Sequence, residues 1–329
     1  MSERRQWSSI AEAGSMAAMH LMAAIHRVAG RRVASAMLYP ISAYFCWARP
    51  ATTTATLDYL RTLRRWSGGA VPSHPPERRD GLGQIHSFSI NLYDRMIAWG
   101  GGASSFVFEH EGGEHLKRLA DSGRGGILLG AHIGSFDMAR ILASQYDVPI
   151  NVLMFTEHAE RITSFFERLD PASRLRVLRL DPSTAQAGFA IKACLERGEF
   201  VGILADRIPP GSREQVEIVD FLGRAARFPL SPYLLACTLG APLLTSMCVR
   251  TGDSSYRAVV EVLSEGEVVP RRQRRVRARE LLEKYVATLE DYCRQWPLQW
   301  FNFYDYWGDD ECGGGELAAP AGESDGPER

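Results

Sequence analysis

The chain has 329 residues, with 38 Lys and Arg against 39 Asp and Glu, and is 45% hydrophobic and 23% charged. That length and apolar fraction support a sizeable folded core and exclude a disordered, collagen-like or coiled-coil chain. A formal net charge of −1 argues against a dedicated nucleic-acid binder, which carries a basic excess over its whole domain.

Residues 7–66 read as helical throughout, because Ala, Met and Leu dominate, strand-type alternation is absent, and Leu57, Leu60 and Leu63 recur at helical spacing. The uncharged stretch from Val33 to Ala48 is 16 residues long and is interrupted by Pro40. As a helix it covers roughly 24 Å, short of the roughly 30 Å hydrocarbon core, so it does not span a bilayer. A second uncharged stretch, Gly14 to Ile25, runs straight into His26-Arg27 without a small-x-small site, which argues against a cleaved signal. Arginines flank these stretches and Trp47 and Trp66 lie near their ends, a composition that suits helices lying on a membrane surface; packing against the main domain is the alternative. Residues 67–83, dense in Gly and Pro, read as a connection. The expected organisation is a helical, membrane-associating section with its linker over 1–83, a main domain over 84–307 and a disordered tail over 308–329.

A helix is expected over 85–99. Beyond it, short apolar runs alternate with amphipathic stretches. Strands are predicted at 106–108, 126–130, 150–155, 175–180, 200–205, 216–219, 242–250 and 257–262. Helices are predicted at 115–120, 136–145, 159–169, 184–197 and 231–239, and a long charged one at 272–296. Strands alternating with crossover helices imply an α/β fold whose mixed, mostly parallel sheet is covered by helices on both faces. Six cysteines are scattered without a C-x-x-C pair, and most of them read as small buried hydrophobes in a reducing compartment.

The segment richest in chemistry is Gly126-Ile-Leu-Leu-Gly-Ala-His132-Ile-Gly-Ser-Phe-Asp137, an apolar strand running through a short turn into a helix. Ligands of open sheets gather at the carboxyl ends of strands, and His132 falls at such an end. Ser135 is placed to cap the following helix and Asp137 to sit in its first turn. Across that bend the two side chains can meet, so that Asp137 orients the imidazole and leaves its other nitrogen as a general base. Gly134 would admit a substrate close to the backbone, and free amides at the helix start could face an oxyanion.

His-Ile-Gly-Ser-Phe-Asp resembles the H-x4-D/E motif of the lysophospholipid acyltransferase superfamily, and especially of its bacterial lipid A acyltransferase branch. Further blocks agree in order: Val201 to Arg207, Gly211, Val219-Asp-Phe-Leu-Gly223 with Phe228-Pro229, and Thr238 to Pro242. The resemblance covers about residues 85–305. It departs at Leu230-Ser231-Pro232 and at Arg207, where the branch often has glycine and glutamine. It implies a glycerol-phosphate acyltransferase-like fold and an O-acyltransferase without metal or other cofactor. Such an enzyme moves an acyl chain from an acyl carrier protein or coenzyme A thioester to a hydroxyl of a lipid or glycolipid. It would do so as a peripheral or monotopic protein at the cytoplasmic face of the bacterial inner membrane. In that reading His132 is the base, Asp137 its orienter, and Gly134, Ser135, Asp206, Arg207, Phe221 and Gly223 form the substrate site.

Residues 271–279 hold six arginines in nine positions, either a solvated helix face or a contact for anionic lipid or an acidic carrier protein; nucleic acid is the weaker option. The aromatic run from Trp300 to Tyr304 reads as core packing rather than a lipid-contact edge. Two competing functions stand beside acyl transfer: hydrolysis of the same thioester or lipid ester by the same His132/Asp137 pair, and non-catalytic lipid binding.

Overall fold

The structure is a computed structural model that describes residues 16–144, 148–154, 176–179, 185–208 and 215–308. The helix expected over 159–169, Gly211 and the tail from 309 onward lie outside the described residues. Among the described residues three helices lead: α1 (Met16–Ala48), α2 (Pro50–Trp66) and α3 (Arg78–Ile97). The α/β part follows as β1 (Val107–Glu111), α4 (Gly113–Asp121), β2 (Ile127–Gly130), α5 (Phe136–Ser144), β3 (Ile150–Met154), β4 (Arg176–Arg179), α6 (Ala185–Glu196) and β5 (Phe200–Leu204). It closes with β6 (Val216–Phe221), β7 (Arg224–Pro229), α7 (Ser231–Leu239), β8 (Leu243–Arg250), β9 (Ser255–Ser264) and α8 (Arg274–Gln295).

Among the described residues seven strands form the main sheet, in the order β1-β9-β8-β2-β5-β3-β4. The run from β8 to β4 is parallel throughout, and the reversal comes where β9 pairs antiparallel to β8, with β1 parallel to β9 at the edge. The fold is therefore the expected α/β arrangement of a mixed, mostly parallel sheet between helices. Successive residues of β2 face opposite sides. Ile127 and Leu129 enter a core with Tyr59, Leu60 and Leu63 of α2 and Leu281, Tyr285 and Leu289 of α8. Leu128 joins Leu116 and Leu119 of α4 on the other face. Burial on both sides is why β2 and β5 read as unbroken apolar runs.

Several expectations shift in detail. The stretch read as a connection ends sooner, because α3 starts at Arg78, where Glu77 and Asp80 form a capping box. Gly81 and Gly83 lie inside that helix, where a Cβ would come within 3.1 Å of Thr53 and 3.2 Å of Leu298; they serve close packing rather than a turn. The hairpin strand β7 was missed. Its turn, Leu222-Gly223, has φ of 55° and 75°, the left-handed pair that matches a tight hairpin's twist. Helix α1 is interrupted at Gly30 (φ 76°, ψ 176°). Cys46, Cys194, Cys237, Cys248 and Cys293 are free and buried, as expected. Among the described residues no helix is long and apolar enough to cross a membrane.

The arginine run is mostly spoken for. Arg275 and Arg279 both pair with Glu217 on β6, Arg277 with Glu267 and Glu280, and Arg279 also with Glu283, while Arg274 donates to the Val269 carbonyl. These contacts fasten α8 to the hairpin and the loop before it.

Candidate active site

β2 and β5 are neighbours and parallel, with Gly130 opposite Leu204. The Ala205 amide donates to the Gly130 carbonyl at 3.0 Å, so the alignment continues past the strand ends. Two residues further on each chain, His132 faces Asp206. The imidazole Nδ1 lies 2.8 Å from Asp206 Oδ1, and the His132 backbone N–H donates to Asp206 Oδ2 at 3.0 Å. Trp300 adds a third donor, its indole N–H reaching Oδ2 at 3.1 Å. A carboxylate on Nδ1 places the ring proton there and leaves Nε2 as the lone-pair nitrogen. About a third of the His132 side chain is open (32%), whereas Asp206 is fully buried (0%).

Burial first, and the Arg207 charge second, lower the His132 pKa, with Asp206 pulling the other way. Burial alone would raise the Asp206 carboxyl, but the charge and hydrogen bonds of His132, with Arg207, hold it well below the carboxylate range. At neutral pH the arrangement is an ionised, buried Asp206 against a neutral imidazole, the protonation state a general base requires.

Asp137, expected to orient the ring, forms an ion pair with Arg95 of α3 at 3.1 Å. It ties the start of α5 to α3, and the carboxylate on Nδ1 is Asp206. Ser135 is buried, and its Oγ accepts from the Met138 N–H at 3.3 Å, the helix cap expected of it. The glycine at 134 answers to packing: with φ of 57°, a Cβ there would sit 2.0 Å from the Cys248 carbonyl oxygen of β8. Nor are its neighbouring amides free, because Gly134 N–H donates to Gln299 O (2.8 Å) and Ser135 N–H to Cys248 O (2.7 Å).

Arg207 donates to the Phe301 carbonyl and lies 5.4 Å over the Tyr304 ring, with its Nε 4.0 Å from Asp206 Oδ2. Phe221 is fully buried, its ring against those of Trp300, Phe228, Tyr306 and Trp307, so it supports the site from behind. Gly223 lies at the hairpin tip beside Trp66. Sequence reasoning set Asp206 near the site without its partner and took the Trp300 run as packing alone. The signal that could have paired the two was shared: each residue stands just beyond the carboxyl end of an apolar strand.

The model of the bacterial lipid A biosynthesis acyltransferase family matches residues 96–307, a stretch that includes β2, β5, His132, Asp206 and Trp300. The chain belongs to this family. A relative outside the lipid A name is a phosphatidylinositol mannoside acyltransferase of Mycolicibacterium smegmatis, 29% identical over 205 residues. That alignment takes in 57% of this chain and 60% of the relative. The family resemblance read from the H-x4-D segment and the blocks after it is thus correct.

Proposed function

We propose that the protein is an O-acyltransferase. It moves an acyl chain from a thioester of acyl carrier protein or coenzyme A to a hydroxyl of a lipid or glycolipid, with His132 as general base and Asp206 as its orienter. The observation that carries this reading is the 2.8 Å contact between His132 Nδ1 and a buried carboxylate, at the carboxyl ends of two central parallel strands inside the family-matched region. A hydroxyl is a poor nucleophile at neutral pH, so attack on a thioester carbonyl needs its proton removed as the C–O bond forms. His132 Nε2 takes that proton, and the thiolate leaves as the tetrahedral intermediate collapses. Asp206 steadies the imidazolium formed meanwhile, and the Arg207 guanidinium beside it is suited to balance the developing oxyanion.

A lipid acceptor is supported by the relative's name, a phosphatidylinositol mannoside acyltransferase, and by the surface of α1. Ala34, Leu38, Ser42 and Cys46 are its buried stripe. On its outer side Val33, Met37, Ile41, Tyr44 and Trp47 form a second stripe, with Trp47 74% exposed. Arg27 and Arg32 are exposed on the same helix. An apolar stripe with aromatic residues and basic neighbours suits a helix lying in a bilayer interface. The protein would then work as a peripheral or monotopic enzyme on the cytoplasmic face of the inner membrane.

The test incubates purified protein with palmitoyl-CoA or palmitoyl carrier protein and a phosphatidylinositol mannoside, and weighs the lipid by mass spectrometry. The expected product is an acceptor heavier by one acyl group, at least about 10²-fold slower in folded His132→Ala. Free palmitate without a heavier acceptor would establish a hydrolase instead, and full transfer by folded His132→Ala would refute the base.

A further inference from the structure

The segment after α8 returns across the carboxyl end of the sheet and touches both members of the His132–Asp206 pair. The Phe301 N–H donates to the His132 carbonyl at 2.8 Å, and the Gln299 carbonyl accepts from Gly134 N–H at 2.8 Å. Gln299 also pairs both ways with the Arg250 backbone on β8, at 2.9 and 2.8 Å. Between these contacts stands Trp300, fully buried, its carbonyl accepting from Gln84 Nε2 of α3 at 2.5 Å. Its ring is held by Tyr59 (4.8 Å), Tyr306 (5.0 Å) and Phe221 (5.3 Å). The Tyr306 hydroxyl in turn donates to the Asp206 backbone carbonyl at 2.8 Å.

A buried indole N–H must find an acceptor, and many positions would offer it a backbone carbonyl. Here it takes Oδ2 of Asp206, the same oxygen that receives the His132 backbone N–H. Two donors on Oδ2 stop the carboxylate from turning about its Cβ–Cγ bond and leave Oδ1 facing Nδ1. We propose that Trp300 is a positioning residue for the reaction: its indole N–H sets the Asp206 carboxylate against His132, and the 299–301 strap holds the catalytic histidine by its backbone at the same time. The inference rests on the reading of His132 as base, but its physical content, which oxygen faces the imidazole, is independent of the acceptor.

Removing the N–H leaves Oδ2 with the His132 backbone N–H alone, so the carboxylate is set less firmly against Nδ1. The hydrogen bond from Asp206 that helps raise the His132 pKa is then weakened, while burial and the Arg207 charge continue to lower it. The affinity of the imidazole for its proton falls, and with it the support for imidazolium in the transition state.

The test has two readouts. The first is the pH titration of the His132 ring by carbon NMR, assigned by its disappearance in His132→Asn; it needs no substrate. The second is turnover of palmitoyl-CoA with the glycolipid acceptor. Two replacements are used: Trp300→Phe, and the benzothiophene isostere of tryptophan, which exchanges only the N–H for sulfur and preserves the packing. Both should move the His132 titration to lower pH, shift the acid limb of kcat/KM the same way, and lower kcat about tenfold while KM changes less than twofold. In an Asp206→Ala background the Trp300→Phe change should cost under twofold, since its route through Asp206 is already gone. An unmoved titration and full kcat in the isostere, or the same loss from Trp300→Phe with and without Asp206, would overturn the proposal. Full turnover by folded His132→Ala would overturn the reading of the base instead, and the titration result would still stand on its own.

Discussion

Replacing Asp206 and Asp137 in turn by Asn separates the two carboxylates that could serve His132. Asp206 accepts three hydrogen bonds, from His132 Nδ1 (2.8 Å), His132 N (3.0 Å) and Trp300 Nε1 (3.1 Å). An amide cannot replace it in either orientation. With its NH2 toward His132, it donates to Nδ1, drives the ring proton to Nε2 and removes the lone pair that should take the hydroxyl proton. With its oxygen toward His132, the NH2 points at two N–H donors. General-base help is worth about 10²–10⁴-fold, and amide replacement of a histidine's carboxylate partner in a hydrolase triad costs near the upper end. Asp206→Asn should therefore lower kcat by about 10³–10⁴-fold. Asp137→Asn instead breaks the ion pair with Arg95, in which both side chains are 22% exposed. That lies between a surface and a buried pair, so the expected cost is about 1–2 kcal/mol of stability. Its kcat should fall less than tenfold. The assay is initial transfer rate against pH, with urea unfolding on the same samples. Wild-type kcat/KM should fall on acidification with a midpoint below the ordinary histidine value of 6.5, because burial and Arg207 favour the neutral ring. In Asp206→Asn the remaining activity should titrate lower still, and in Asp137→Asn its midpoint should not move. A larger kcat loss in Asp137→Asn than in Asp206→Asn, or a wild-type midpoint above 6.5, would refute this assignment.

Gly134→Ala should destabilise the protein by about 3 kcal/mol or more, since a left-handed residue gains a Cβ 2.0 Å from the Cys248 carbonyl oxygen, and urea unfolding would show it. Tyr256→Phe removes the hydroxyl that donates to the buried Asp94 at 2.7 Å, where Arg31 of α1 also pairs at 2.7 Å. About 1–3 kcal/mol should be lost, as a change in urea midpoint without a change in slope. Met37→Ser, Tyr44→Ser and Trp47→Ser combined should cut co-sedimentation with vesicles of one-third anionic lipid at least tenfold while leaving thermal stability nearly unchanged. Undiminished binding would move the membrane contact off this stripe.

The alternation of buried apolar runs with helical stretches was enough to place most strands of the sheet. The reason is local: a strand buried on both faces must be apolar at every position, whatever lies beside it. Helix α7 was legible to the residue, with Pro232 in its first turn and Gly240 left-handed after its end. His132 at a strand end was legible for the same reason. Its partner was not, because Asp206 lies 74 residues downstream and becomes adjacent only when β5 inserts between β2 and β3. A carboxylate five residues away looked closer, yet the register of two parallel strands outweighs proximity along the chain. The same holds for charge. Six arginines within nine residues look like a basic patch until the hairpin brings up Glu217 and the preceding loop Glu267. Local pattern determined the elements and the histidine. Strand order, which depends on how whole faces bury against one another, decided what the histidine touches.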